Sequence, residues 1–182
     1  SNINTFGSLA MAGIGTYTKI EGFAFLPITS FMMALTTFVS QNRGAKEYER
    51  ARKGAHFGLV CSVSLAETIG LLIALFVTPL MRLFVDDPQV IQYGVERAHY
   101  ATILFFMLAY SHGVSAVLRG VGKSVVPMVV MLMCWCLVRV TLLTMLNMLF
   151  HNILFVYLIY PFTWSLSSIV FFLYYRKINW QE

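Results

Sequence analysis

At 182 residues, this sequence is 58% hydrophobic, 15% aromatic and only 12% charged, whereas a soluble domain carries about a quarter charged residues. With a mean hydropathy of +0.73, it excludes a water-exposed surface over most of its length and reads as an integral membrane protein. The net charge of +5 does not point to nucleic acid, because the basic residues sit in short clusters between apolar runs, the pattern that sets membrane topology.

The start, "SNINTFG", has neither a basic leader region nor a small-residue cleavage site and does not begin with Met. It is expected to belong to a longer chain, with residues 1–8 forming a loop. A bilayer core about 30 Å thick needs about 20 apolar residues in a helix. Five runs meet that length, at about 9–41, 54–79, 91–118, 124–149 and 153–175. Stretches such as "GLLIALFV" and "VVMLMCWCLV" do not alternate apolar and polar residues, which argues against a membrane barrel. The fold class is therefore all-α, with five transmembrane helices. Pro27 and Pro161 fall within spans, as neighbouring helices permit. Pro79 is expected to end the second span, and "PLMRLFVDD" to form an interfacial turn or short helix before Pro88. Cys61, Cys134 and Cys136 lie in apolar runs without metal-ligand spacing. They read as packing thiols, with Cys134 and Cys136 pointing apart on their helix.

The connectors give an orientation. Arg43, Lys46, Arg50, Arg52, Lys53, Arg119, Lys123, Arg176 and Lys177 fall on one side, whereas Arg82 and Arg97 fall on the other beside Asp86, Asp87 and Glu96. The positive-inside rule makes the first group cytoplasmic. "VDDPQ" and "FHN" then face outward.

Four segments resemble, in order, those of a transporter family. "NTFGSLAMAG" (4–13) is similar to the turn after the first helix of a six-helix half. "FVSQNRGAKEYERARKG" (38–54) resembles the turn closing the second helix, "LRGVGKSVVPM" (118–128) the turn between the fourth and fifth helices, and "WCLVRVTL" (135–142) the arginine-bearing helix that follows. The family is that of the multidrug and toxic compound extrusion (MATE) transporters. The resemblance implies twelve helices in two lobes, of which this chain supplies helices eight to twelve. It further implies a cation-coupled antiporter, driven by Na⁺ or H⁺, that exports organic cations or amphipathic drugs from a bacterial inner membrane. The implied partners are the lipid bilayer, a small organic substrate and the missing N-terminal lobe, with no cofactor beyond the coupling ion. Independently of the family, Gly44 and Gly120 are expected to supply turn conformations that other residues resist.

Ionisable residues inside spans are costly, by about 2.5–3.5 kcal/mol on insertion scales, and therefore face protein or a wet cavity. Lys19 and Glu21 are two residues apart and cannot share a helix face. Lys19 is expected to snorkel outward, and Glu21 to face the central cavity as a coupling residue. Glu67 and Arg139, near the middles of two spans, are expected to pair. His112 either relays protons or bonds a neighbouring helix, and Ser111, Gly113, Ser115 and Ala116 around it suggest close helix packing. Glu21, Lys19, Glu67, His112 and Arg139 are thus the transport or coupling candidates. Many family members carry an acid in the helix matching the third span, but this chain has none from Ala98 to Leu118, which leaves the coupling ion open.

Two other functions compete. A lipid-linked oligosaccharide flippase of the same superfamily would need a more cationic cavity, for which Lys19 and Arg139 are the candidates. An intramembrane protease is a remote alternative, resting on "GVSA" (113–116), and would need a histidine on another helix at the depth of Ser115. Without an HExxH or Walker motif, the chain is not expected to be an enzyme.

Overall fold

The computed structural model describes residues 6–150 and 152–180. Its elements are α1 (Ser8–Gly44), α2 (Tyr48–Arg82), α3 (Pro88–Thr102), α4 (Phe105–Gly120), α5 (Val125–Met131), a π-helical stretch (Leu132–Val138), α6 (Arg139–Phe150) and α7 (Ile153–Arg176). Among the described residues, α1, α2, α7 and the continuous run Val125–Phe150 are each long and apolar enough to cross a membrane. The pair α3–α4, bent by 58° at its break, meets the same test when its two helices are taken together, as a broken span or a re-entrant segment. Exposed apolar side chains such as Leu75 (76%) and Met148 (81%) fit a surface that faces lipid tails.

The helices depart from the expected bounds at specific points. Most of the expected N-terminal loop (residues 1–5), and His151 of the "FHN" turn, lie outside the described residues. The second helix does not stop at Pro79 but continues through it to Arg82. A proline removes one donor and crowds the preceding turn, which a membrane helix accommodates when its neighbours adjust. The third span is not one helix. It breaks at Ile103–Leu104, and α3 starts instead at a designed-looking cap, where Asp87 accepts from the Gln89 N–H and Pro88 occupies the first turn.

α1 is the hub, packing against α2, α3 and α4, while α4 and α3 also contact α7. Small residues let these backbones approach. Carbons added at Gly13 would meet the Val90 carbonyl and the Tyr93 Cβ (2.7 Å), and one at Gly120 would lie 2.9 Å from the Thr36 carbonyl. Hydroxyls then join the helices: Thr36 Oγ1 donates to Ala116 O (3.1 Å), and Ser168 Oγ to Met107 O (2.7 Å). Ser111 Oγ lies 2.8 Å from both Ser167 Oγ and Ser168 Oγ. Close packing around Ser111, Gly113, Ser115 and Ala116 is therefore as expected, since all four are buried. Cys134 is buried and Cys136 exposed, consistent with their pointing apart.

The turns differ in detail. Positive φ falls on Lys46 (62°) and Gly122 (81°), not on Gly44 or Gly120. Gly120 is required for the approach to α1, whereas nothing lies near Gly44. Arg43 donates from Nη1 to the Val121 carbonyl, tying the two basic turns together. Near them, Arg52, Lys53 and Tyr175 line one surface cleft, and Arg43, Arg119 and Gly122 another. The basic connectors thus gather at one end of the bundle. Ile14, Val156 and Tyr157 pack at the other.

Candidate functional site

The polar centre of this bundle draws on α1, α3, the run ending in α6, and α7. In α3, Val90, Gly94, Arg97, Ala98 and Ala101 are all buried. Their spacing of three and four residues puts them on one stripe. Small residues bring that stripe against α1, and Arg97 rides within it. Its side chain is 2% exposed and its Nη2 lies 3.7 Å from Glu21 Oε2, on a side chain 14% exposed. The Arg97 guanidinium carbon sits 4.2 Å from the centre of the Tyr160 ring and 5.6 Å from that of Tyr17. A buried guanidinium must keep its charge, so carboxylate and aromatic faces are the partners that make its burial tolerable.

Arg139 opens α6, immediately after the π-helical stretch. Wider turns of that kind re-aim the residues beyond them and recur at functional positions. Its guanidinium carbon lies 4.6 Å from the Tyr160 ring centre and 5.3 Å from that of Trp135. Nε and Nη2 both donate to Thr163 Oγ1 (3.1 and 2.7 Å). Two arginines from different spans therefore share one tyrosine, with Glu21 beside them.

This arrangement revises several expectations. Glu21 is turned into the bundle, where Arg97 meets it at 3.7 Å. Lys19 is exposed, on a different face from Glu21, as their spacing requires. Glu67 and Arg139 are not partners. Glu67 Oε2 instead accepts from the Phe106 N–H (3.1 Å), capping α4 just after the break. Leu104, at the cap position itself, has no side chain able to do this. His112 bonds its own helix through Nδ1 and Leu108 O (3.0 Å), with Phe25 and Trp135 as ring neighbours at 4.9 and 5.0 Å. Among the described residues, this bond within its own helix is the hydrogen bond His112 makes. Ser115 is fully buried, and its hydroxyl accepts from Arg119 Nη1 (2.8 Å) on the same helix.

Arg97 was the residue missed, because it was counted with the outward connector. The signal was present in the sequence: the small-residue stripe of α3 runs directly through position 97. Separate partners for Glu67 and Arg139 also give a testable result. In the full-length protein, Glu67→Gln and Arg139→Gln should lower the folded fraction in the membrane additively, within about 0.5 kcal/mol. A sub-additive double-mutant cycle would show that they interact after all.

Comparison with known proteins supplies the remaining finding. A family model described as MatE matches residues 2–145. A probable multidrug resistance protein NorM from Thermotoga maritima is 30% identical over 124 residues, covering 68% of this chain and 27% of the relative. A probable multidrug resistance protein YoeA from Bacillus subtilis is 24% identical over 184 residues, covering 100% of this chain and 39% of the relative. The chain thus spans well under half the length of these curated relatives. A crystal structure titled "MATE in the bent conformation" superimposes with a TM-score of 0.83 at 17% identity, over 98% of this chain and 40% of that one. That likeness establishes the fold. With the family model spanning residues 2–145 and the fold matched over 98% of the chain, the chain belongs to the MATE family of membrane transporters, which are not enzymes.

Proposed function

We propose that this chain is the C-terminal lobe, helices eight to twelve, of a twelve-helix bacterial inner-membrane antiporter that exports amphipathic organic molecules against a Na⁺ or H⁺ gradient. The observation that carries the reading is the group Glu21, Arg97 and Arg139, ionisable side chains drawn from three spans to one place. Charges at that depth are retained where they serve transport or coupling. The relatives' names, both multidrug resistance proteins, support export of varied organic molecules. The basic end would face the cytoplasm.

Coupling follows from the pair. Glu21 holds either Arg97 or a cation, a proton or a sodium ion, and not both on the same oxygen. When a cation takes the carboxylate, Arg97 loses its counter-charge and the α1–α3 contact is weakened. A lobe that rocks against its partner has a different preferred pose in each case. Organic cations, the substrate class implied by the resemblance, serve as the first probe. In proteoliposomes of the full-length protein, an imposed Na⁺ or proton gradient should drive uphill ethidium movement. Glu21→Gln should abolish the gradient-dependent part, with rates normalised to protein because the unpaired Arg97 lowers abundance. Wild-type movement indifferent to both gradients would refute the antiporter.

A further inference from the structure

The charges at the centre do not balance. Arg97 and Arg139 contribute two positive charges and Glu21 one negative. Neither guanidinium can discharge by losing a proton. Other acids are engaged elsewhere: Glu67 caps α4 through Phe106, and Glu96 accepts from Gln92 (2.9 Å) on the exposed side of α3. Arg97 itself is under-satisfied, since its Nε and Nη1 are buried without a hydrogen-bond partner among the described residues. Among the described residues, Arg139 has only a neutral acceptor, Thr163 Oγ1, for both of its hydrogen bonds. Around these two cations the described residues supply one carboxylate, a neutral hydroxyl and aromatic faces, a set that leaves room for an anionic partner.

The surroundings say what kind of anion. Arg139 is half-buried and lies against the Trp135 and Tyr160 rings, with His112 5.0 Å beyond Trp135 and Phe25 next to it. A guanidinium flanked by aromatic faces recognises a planar body with a carboxylate or phosphate attached, through the fork of donors and through stacking. We infer that Arg139, supported by Arg97, is an anion-binding subsite, and that the cargo of this lobe includes water-soluble aromatic organic anions. The inference rests on the transporter reading for the word cargo, but the binding site stands or falls separately. It also gives Thr163 a role, as the clamp that fixes the guanidinium plane.

Equilibrium binding tests it without any gradient. Purified full-length protein should bind carboxyfluorescein, read by fluorescence anisotropy. 1-Naphthyl phosphate should displace the dye, whereas ethidium should not. Arg139→Gln, at unchanged size-exclusion profile, should weaken binding by at least about tenfold, the loss expected for charge-assisted hydrogen bonds, and Arg139→Lys should recover part of it. Failure of the wild type to bind, displacement by ethidium, or unchanged binding by Arg139→Gln would each overturn the site. Displacement by a polyprenyl pyrophosphate and not by 1-naphthyl phosphate would overturn the soluble cargo. If Arg139→Gln does not fold, the wild-type displacement pattern decides alone. Binding can fail while gradient-driven ethidium export persists, and the reverse, so the two readings are separable.

Discussion

Arg97→Leu in the full-length protein should sharply reduce the folded fraction in the membrane, and Glu21→Leu should do the same, whereas the double substitution should recover most of the loss. Each single change leaves one charge buried opposite a leucine, at a cost of about 3–5 kcal/mol for a broken buried pair. The double change removes both charges together, and replacement of a buried pair by apolar residues is often close to neutral. The geometry is specific: the two side chains are 2% and 14% exposed and 3.7 Å apart. Arg97 also lies over Tyr160 and Tyr17, so a small deficit should persist in the double mutant. The folded fraction is read by fluorescence-detected size exclusion. Simple addition of the two losses would mean that Arg97 is held by its aromatic neighbours alone. Export should fail in all three variants, including the stable double one, if the pair couples the ion.

The second large effect is expected at Gly13. Alanine there puts its Cβ against the Val90 carbonyl and 2.7 Å from the Tyr93 Cβ, with the Gly94 nitrogen 3.2 Å away. Backbone atoms cannot swing aside as a side-chain tip can, so α1 and α3 must separate. Overpacking of this kind costs about 1–3 kcal/mol. The separation falls about two turns from Glu21 and one turn from Arg97, so the charge pair lengthens with it. Gly13→Ala should therefore lose both thermal stability and coupled export. Gly22→Ala is the control, since nothing lies within 4 Å of the added carbon and alanine favours a helix by up to about 1 kcal/mol over glycine. Equal melting temperatures for the two variants would show that the α1–α3 contact is looser than the structure has it.

The spans were legible because the hydrophobic length needed to cross a bilayer is a property of consecutive residues. The grouping of basic connectors was legible for the same reason: Arg43, Lys53, Arg119 and Lys123 lie close to their turns in sequence. Partnerships were not. Glu67 and Arg139 have opposite charge and similar depth, but depth does not say which way a side chain points around its helix. The π-helical stretch before Arg139 alters that angle, and no residue type announces it. The break at Ile103–Leu104 was equally hidden, because "ATILFF" contains neither proline nor glycine. Arg97 was recoverable from the periodicity of α3. It was obscured by its proximity to "VDDPQ", where a charge is ordinarily a solvated one.

The elbow in the third span has an electrostatic consequence. By turning 58°, it exposes the amide end of α4 in the bundle interior, and Glu67 is drawn to that end. The partial positive charge of a helix start absorbs a carboxylate's field within about one turn. The Glu67 carboxylate is thus answered by backbone amide and not by a basic side chain. Straightening the elbow would remove that amide end and leave Glu67 without its partner. The position of a charge on one helix is thereby tied to the bend in another.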